Sequence, residues 1–167
     1  GVCPAPKRIL AISFKKDAAR NLAERVAKRC PRDQARRFDS VTFDAFTKGL
    51  LDRFRPGLPE PYNAPGTYQI VTPLRRDYDD FLERNGHRGV SAQQLERKVP
   101  LTDLPIDLSN GSEVHRALAD YWHEQFFGGE EISLSFPMIN RLVKLLLQEN
   151  SYIRRALQAT YPIVFLD

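Results

Sequence analysis

Ile9-Leu10-Ala11-Ile12-Ser13-Phe14 is a run of strand length, apolar at every position but Ser13. From Asp17 the period changes: Ala18, Leu22 and Val26 recur at helical spacing until Lys28 and Arg29 close the last turn, where cations complement the helix dipole. A strand therefore feeds a helix, and Pro31 ends it. The switch then repeats. After a polar stretch to Asp39 comes the short run Val41-Thr42-Phe43, followed by Ala45, Phe46, Leu50, Leu51 and Phe54 at helical spacing. Alternation of short buried strands with amphipathic helices predicts an α/β fold, a parallel sheet flanked by helices, rather than a helical bundle.

Farther along, residues 55–68 are punctuated by Pro56, Gly57, Pro59, Pro61, Pro65 and Gly66 and read as a loop, with a strand at 68–71 beyond it. Past Pro73 the texture becomes helical. The pattern predicts helices over 74–84, 91–98 with Ser91 as N-cap, and 112–127, before Gly128-Gly129 interrupts. Ser135 is placed to cap a helix through Leu147, whose apolar stripe of Phe136, Ile139, Leu142, Val143, Leu146 and Leu147 predicts burial. A short helix over 152–159 then leads to Pro162-Ile163-Val164-Phe165-Leu166, a wholly apolar strand with Asp167 at its carboxyl end. The expected organisation is a discontinuous α/β domain, 1–72 with 132–167, carrying a mostly helical insertion at 73–131.

The 167 residues are 42% hydrophobic and 28% charged, the composition of a globular protein. Apolar runs such as 142–147, broken by Lys144, fall far short of the roughly 20 residues a membrane span requires. The start at Gly1 without methionine reads as trimmed, and no secretory leader opens the chain. Cys3 and Cys30 are dispersed, with no CxxC or His/Cys cluster, which predicts reduced thiols and a cytoplasmic setting rather than a disulfide framework or zinc site. A formal charge of +4 and a pI near 9.2, with cations doubled at 7–8, 15–16, 28–29, 36–37, 75–76 and 154–155, permit an anionic partner; most such pairs simply solvate helix faces.

Few residues carry chemistry by type and place. His87, His115 and His123 show no metal-ligand spacing, and the aromatic set Tyr121, Trp122, Phe126 and Phe127 reads as core. Asp167 is the exception, because an apolar strand ending in Asp is where nucleotide-hydrolysing motors hold a magnesium ion, beyond the carboxyl ends of a parallel sheet. On the residues alone a structural or turn-forming role for Asp167 is the better reading, because apolar strands ending in Asp are common. Phe14, on the residues alone, reads as a core residue closing the strand.

Ile9-Leu-Ala-Ile-Ser-Phe-Lys-Lys-Asp-Ala-Ala-Arg20 resembles motif Ia of the UvrD/Rep family of superfamily 1 DNA helicases, and Ser40-Val-Thr-Phe-Asp-Ala-Phe46 resembles that family's next DNA-contact motif at the expected distance. Ile132-Ser-Leu-Ser-Phe136 and Tyr161-Pro-Ile-Val-Phe-Leu-Asp167 resemble the approach to its Walker B strand and that strand up to the first acidic residue. The resemblance implies part of a RecA-like P-loop NTPase domain with 73–131 as its inserted subdomain. It implies ATP and Mg2+ as cofactors of the parent protein, with Asp167 as the metal-holding carboxylate. Single-stranded DNA, or a duplex with a single-stranded tail, is the implied partner, met by Ser13, Phe14, Lys15, Lys16, Thr42 and Phe43. Polarity 3′ to 5′ follows from the resemblance only.

Two positions depart from the family pattern. Its usual Asn-Lys pair reads Lys16-Asp17 and its usual histidine reads Asp44; both acids suit the first turn of a helix, and Lys16 supplies the cation. No GxxxxGK[ST] loop occurs in the chain. The resemblance places that loop before Gly1, and the water-activating Glu after Asp167, so the chain alone is expected to hydrolyse no ATP. The rival readings are the motor part of a helicase-nuclease, a non-hydrolysing nucleic-acid-binding or scaffold domain, and a kinase-like phosphotransferase.

Overall fold

The apolar strand β1 (Ile9–Ser13) has both its faces covered, with Leu10, Ala11, Ile12 and Ser13 all buried. A computed structural model describes residues 3–64, 66–109, 111–129 and 131–167. After β1 the elements run α1 (Lys16–Arg29), α2 (Arg32–Ala35), β2 (Phe38–Thr42), α3 (Phe43–Phe54), β3 (Tyr68–Ile70), α4 (Arg75–Arg84), α5 (Ala92–Lys98), α6 (Glu113–Phe127), β4 (Ile132–Leu134), α7 (Phe136–Glu149), α8 (Ser151–Thr160) and β5 (Ile163–Leu166). The mixed α/β class expected from the sequence is present, built on a parallel three-stranded sheet.

The chain divides into two compact units, Gly1–Asp52 with Asn150–Asp167, and Arg53–Glu149. Where the sequence sets off 73–131 as an insertion, the contacts also group β3, β4 and α7 with those helices. In the first unit the strand order is β2-β1-β5, all parallel, with Ile9 opposite both Phe38 and Ile163. The helix α1 packs on β1 and β2, and the Ser40 hydroxyl donates to the Ala19 carbonyl at 2.8 Å.

At the amino ends of the three strands a polar clasp forms. Arg8 grips Asp39 through Nε and Nη2, at 2.6 and 2.5 Å, and the Tyr161 hydroxyl donates to the same carboxylate at 2.9 Å. The Arg8 hydrogen bonds hold the Asp39 carboxyl below its ordinary value near 4, against a smaller opposing effect of burial. A depressed folded-state value means that the contribution exists above the unfolded value and is lost as pH falls through the folded one. Asp39→Asn is therefore expected to lower stability by roughly 1–2 kcal/mol at pH 7, the pair being partly open to solvent. The difference from wild type should shrink in urea melts below about pH 4, and an equal difference at pH 2.5 and pH 7 would refute the role given to the ion pair.

The second unit is mainly helical. Its two short strands pair in parallel, Tyr68 opposite Ile132, and α6 packs on β4. Phe81 of α4, Leu95 of α5, Leu118 of α6, Leu134 of β4, and Met138, Ile139, Leu142 and Leu146 of α7 are fully buried. The Ser91 hydroxyl accepts from Gln94 N–H while the Gln94 side chain accepts from Ser91 N–H, so α5 opens with a reciprocal capping box. Ser135 corrects the sequence reading. It stands at the amino terminus of α7, but its hydroxyl is buried without a partner and caps nothing; its backbone carbonyl only opens the regular helical ladder, accepting from Ile139 N–H.

Candidate nucleic-acid interface

The chain passes from β1 to β2 in one direction and reaches β5 on the other side of β1, so strand order reverses at β1. Open parallel sheets place their ligand crevice at such a reversal, outside the carboxyl ends of the strands. Three sequence-predicted residues stand side by side there. Ser13 is opposite Thr42, and the Asp167 backbone N–H donates to the Ile12 carbonyl at 3.0 Å, extending the ladder one residue past β5. Thr42, Ser13 and Asp167 thus end adjacent strands.

Exposure corrects the reading of Phe14: 83% of it is open to solvent, so it is no core residue. An aromatic ring left in water costs hydrophobic free energy that folding could have recovered by turning it inward. Phe43, 37% exposed, lies beside it with ring centroids 6.3 Å apart and planes inclined by 35°. Both rings follow directly from strand ends, Phe14 after Ser13 and Phe43 after Thr42, and the parallel register of β1 and β2 brings them together. Ser13 itself is buried at 1% exposure and so does not face a ligand from solvent.

Cationic and helix-terminal groups flank the rings. Lys15 and Lys16 are exposed, and α1 starts at Lys16 with no side-chain cap on its first N–H groups. Uncapped N–H groups with neighbouring lysines favour anions. Asp17, in the same turn, would oppose an anion, but its carboxylate is held by Arg20 at 2.8 Å. Thr42 caps α3, its Oγ accepting from Ala45 N–H at 3.1 Å, which leaves the hydroxyl proton to donate elsewhere. Asp44 falls in the first turn of α3.

Charge segregates between the units. The first carries fourteen Lys and Arg against seven Asp and Glu, a formal +7, whereas the second carries eleven against fourteen, a formal −3. The sequence-wide +4 conceals this, because the unit boundaries are set by contacts far apart in the chain.

As a metal position Asp167 fits one known pattern. Magnesium is a hard cation that takes oxygen ligands and is often held by one or two carboxylates plus substrate phosphates. Among the described residues no group of three His, Cys, Asp or Glu could hold a metal, and no GxxxxGK[ST] loop occurs in the sequence. Asp167 can therefore supply one ligand, and a nucleotide would need the rest from other residues. Cys3 and Cys30 are both free thiols, and no helix among the described residues is long and apolar enough to cross a membrane. No family model and no curated protein matches the chain.

Proposed function

We propose that this chain is part of the first, RecA-like motor domain of a UvrD/Rep-like DNA helicase or translocase, and that its own contribution is to hold single-stranded DNA. The observation that carries the reading is the pair of solvent-facing rings, Phe14 and Phe43, beside Lys15, Lys16 and an uncapped helix terminus. Stacking on a ring face suits every base alike, and lysines meet phosphates without reading sequence. That combination serves a motor that must step along any strand. Thr42 contributes a hydroxyl to a phosphate, and Phe14 projects just beyond the buried Ser13 that ends β1.

In the parent protein ATP and Mg2+ are the cofactors, with Asp167 presented one strand away from the Phe14 turn. That adjacency offers a direct route between nucleotide state and grip on the strand: β1 carries Phe14 at the end of its ladder and pairs with the strand that ends in Asp167. Polarity 3′ to 5′ and unwinding belong to the proposal through the sequence resemblance.

The test is anisotropy of a fluorescent thymidylate octamer titrated with the chain. Phe14→Ala is expected to weaken binding by about 1–3 kcal/mol, roughly 5- to 150-fold, with an unchanged circular dichroism spectrum because the ring supports no core. Octamer affinity indifferent to Phe14→Ala, or absent in the wild type, would sink the reading.

A further inference from the structure

The positive charge of the first unit is concentrated in residues 15–37, where nine Lys and Arg meet only Asp17, Glu24 and Asp33. Arg25, Lys28, Arg29, Arg32 and Arg36 are exposed, and among the described residues none of these five has an ion-pair partner. They lie along α1 and α2; a 14-residue helix is about 21 Å long, so α1 leads from the Phe14 turn to the opposite end of the sheet. Mutual repulsion among five unneutralised cations destabilises the free unit, a cost that a polyanion relieves.

We infer that this α1–α2 face binds the phosphate backbone of duplex nucleic acid, a second contact distinct from the stacking site at Phe14 and Phe43. The inference rests on the reading of the first unit as a nucleic-acid track and assigns the duplex a surface outside the residues that the resemblance implies. The composition of the face selects the duplex. No Phe, Tyr or Trp occurs anywhere in residues 15–37, so the face offers phosphate contacts and, guanidinium planes apart, no ring on which an unstacked base could lie. A nucleic acid whose bases are already stacked inside a helix asks only for such contacts, and it presents one charge per about 1.7 Å of axis. Continuity along one helix adds to the case: α1 opens at Lys16 beside the stacking site and carries Arg25, Lys28 and Arg29 toward its other end, so one element links the two contacts.

The experiment uses the 167-residue chain with two probes, a blunt 20-base-pair duplex and the thymidylate octamer, each titrated from low to moderate salt. A variant carrying Arg25→Gln, Lys28→Gln and Arg29→Gln should lose duplex affinity on the order of tenfold or more at low salt. Its log-log salt slope for the duplex should fall by about 3, while the octamer binds as to wild type. All three side chains are exposed, so folding is preserved; as a check independent of affinity, duplex should slow maleimide alkylation of exposed Cys30 in a Cys3→Ser background. The inference is overturned if the triple variant binds duplex with the wild-type slope. It is equally overturned if duplex and octamer weaken together, or if polyglutamate binds this face and duplex does not. Failure of the stacking site is read separately, as octamer affinity that ignores Phe14→Ala.

Discussion

Phe81→Ala is expected to destabilise the second unit by roughly 3–5 kcal/mol, enough to consume much of a small domain's stability. Phe81 is 1% exposed at the inner face of α4. Its ring meets Tyr121 of α6 edge-to-face, with centroids 5.2 Å apart at 86°, and stacks against His87 at 6.0 Å and 26°. Removing it deletes a large apolar group and both ring contacts, and leaves a cavity that α4 and α6 can only partly close. The loss propagates into local structure as well. The turn that follows α4 is a Schellman motif, in which His87 N–H donates to the Leu82 carbonyl and Gly86, at φ +73°, donates to Glu83. The His87 ring that closes this turn rests on Phe81. Urea unfolding followed by far-ultraviolet circular dichroism measures the effect; a loss below about 1 kcal/mol would show that α4 is not packed as described. Because Phe81 lies in the second unit, octamer binding by whatever fraction stays folded is expected to be unchanged.

That interior was legible in part from the sequence, and the pattern of success has a physical basis. Features fixed by neighbours in the chain were readable: the α1 period from Ala18 to Val26, the Ser91 cap three residues before Gln94, the apolar stripe of α7. Features that exist only through distant partners were not. β4 is three residues long and earns its strand geometry from β3, more than sixty residues earlier. β2 begins at Phe38 instead of Val41 because Asp39, polar and unremarkable in sequence, is held between Arg8 and Tyr161. α2 is four residues in a polar stretch with no apolar period to betray it. Ser135 was misread because a serine before an apolar run signals a cap, whereas here the hydroxyl is enclosed by the second unit's core.

At the site the same division holds. The family resemblance points to Ser13, Phe14, Thr42 and Phe43, yet only the parallel register of β1 and β2 decides that Phe14 and Phe43 form one aromatic surface. Composition could not settle whether Phe14 faces core or solvent, since a strand-terminal Phe satisfies either pattern. The free cations of α1 and α2 were visible as doublets, but a doublet says nothing about whether a carboxylate from elsewhere neutralises it.

The second large effect belongs to Asp167, in the full-length protein that extends beyond it under the proposed reading. Asp167→Ala there is expected to lower DNA-stimulated ATP hydrolysis by on the order of 100-fold or more. A carboxylate-held metal ion supplies several kcal/mol of stabilisation to charge developing on the phosphates, and each 1.4 kcal/mol is about tenfold in rate. Position supports the choice of residue: Asp167 is exposed at the carboxyl end of β5, and its backbone N–H is already committed to the Ile12 carbonyl, so the side chain is presented without strain on the ladder. The 167-residue chain by itself is expected to show no turnover, having no GxxxxGK[ST] loop and only Asp167 at the end of β5 to meet a metal ion. Octamer affinity without nucleotide should match wild type in Asp167→Ala, which separates lost chemistry from lost folding. Wild-type turnover in the variant would remove Asp167 from the nucleotide site. A full-length wild type that binds single-stranded DNA through Phe14 but hydrolyses no ATP would give the first unit to a non-hydrolysing nucleic-acid-binding domain instead. The stacking site and the basic face of α1 would then be the whole of its function, because both are complete within residues 13–43 and neither needs the strand that ends in Asp167.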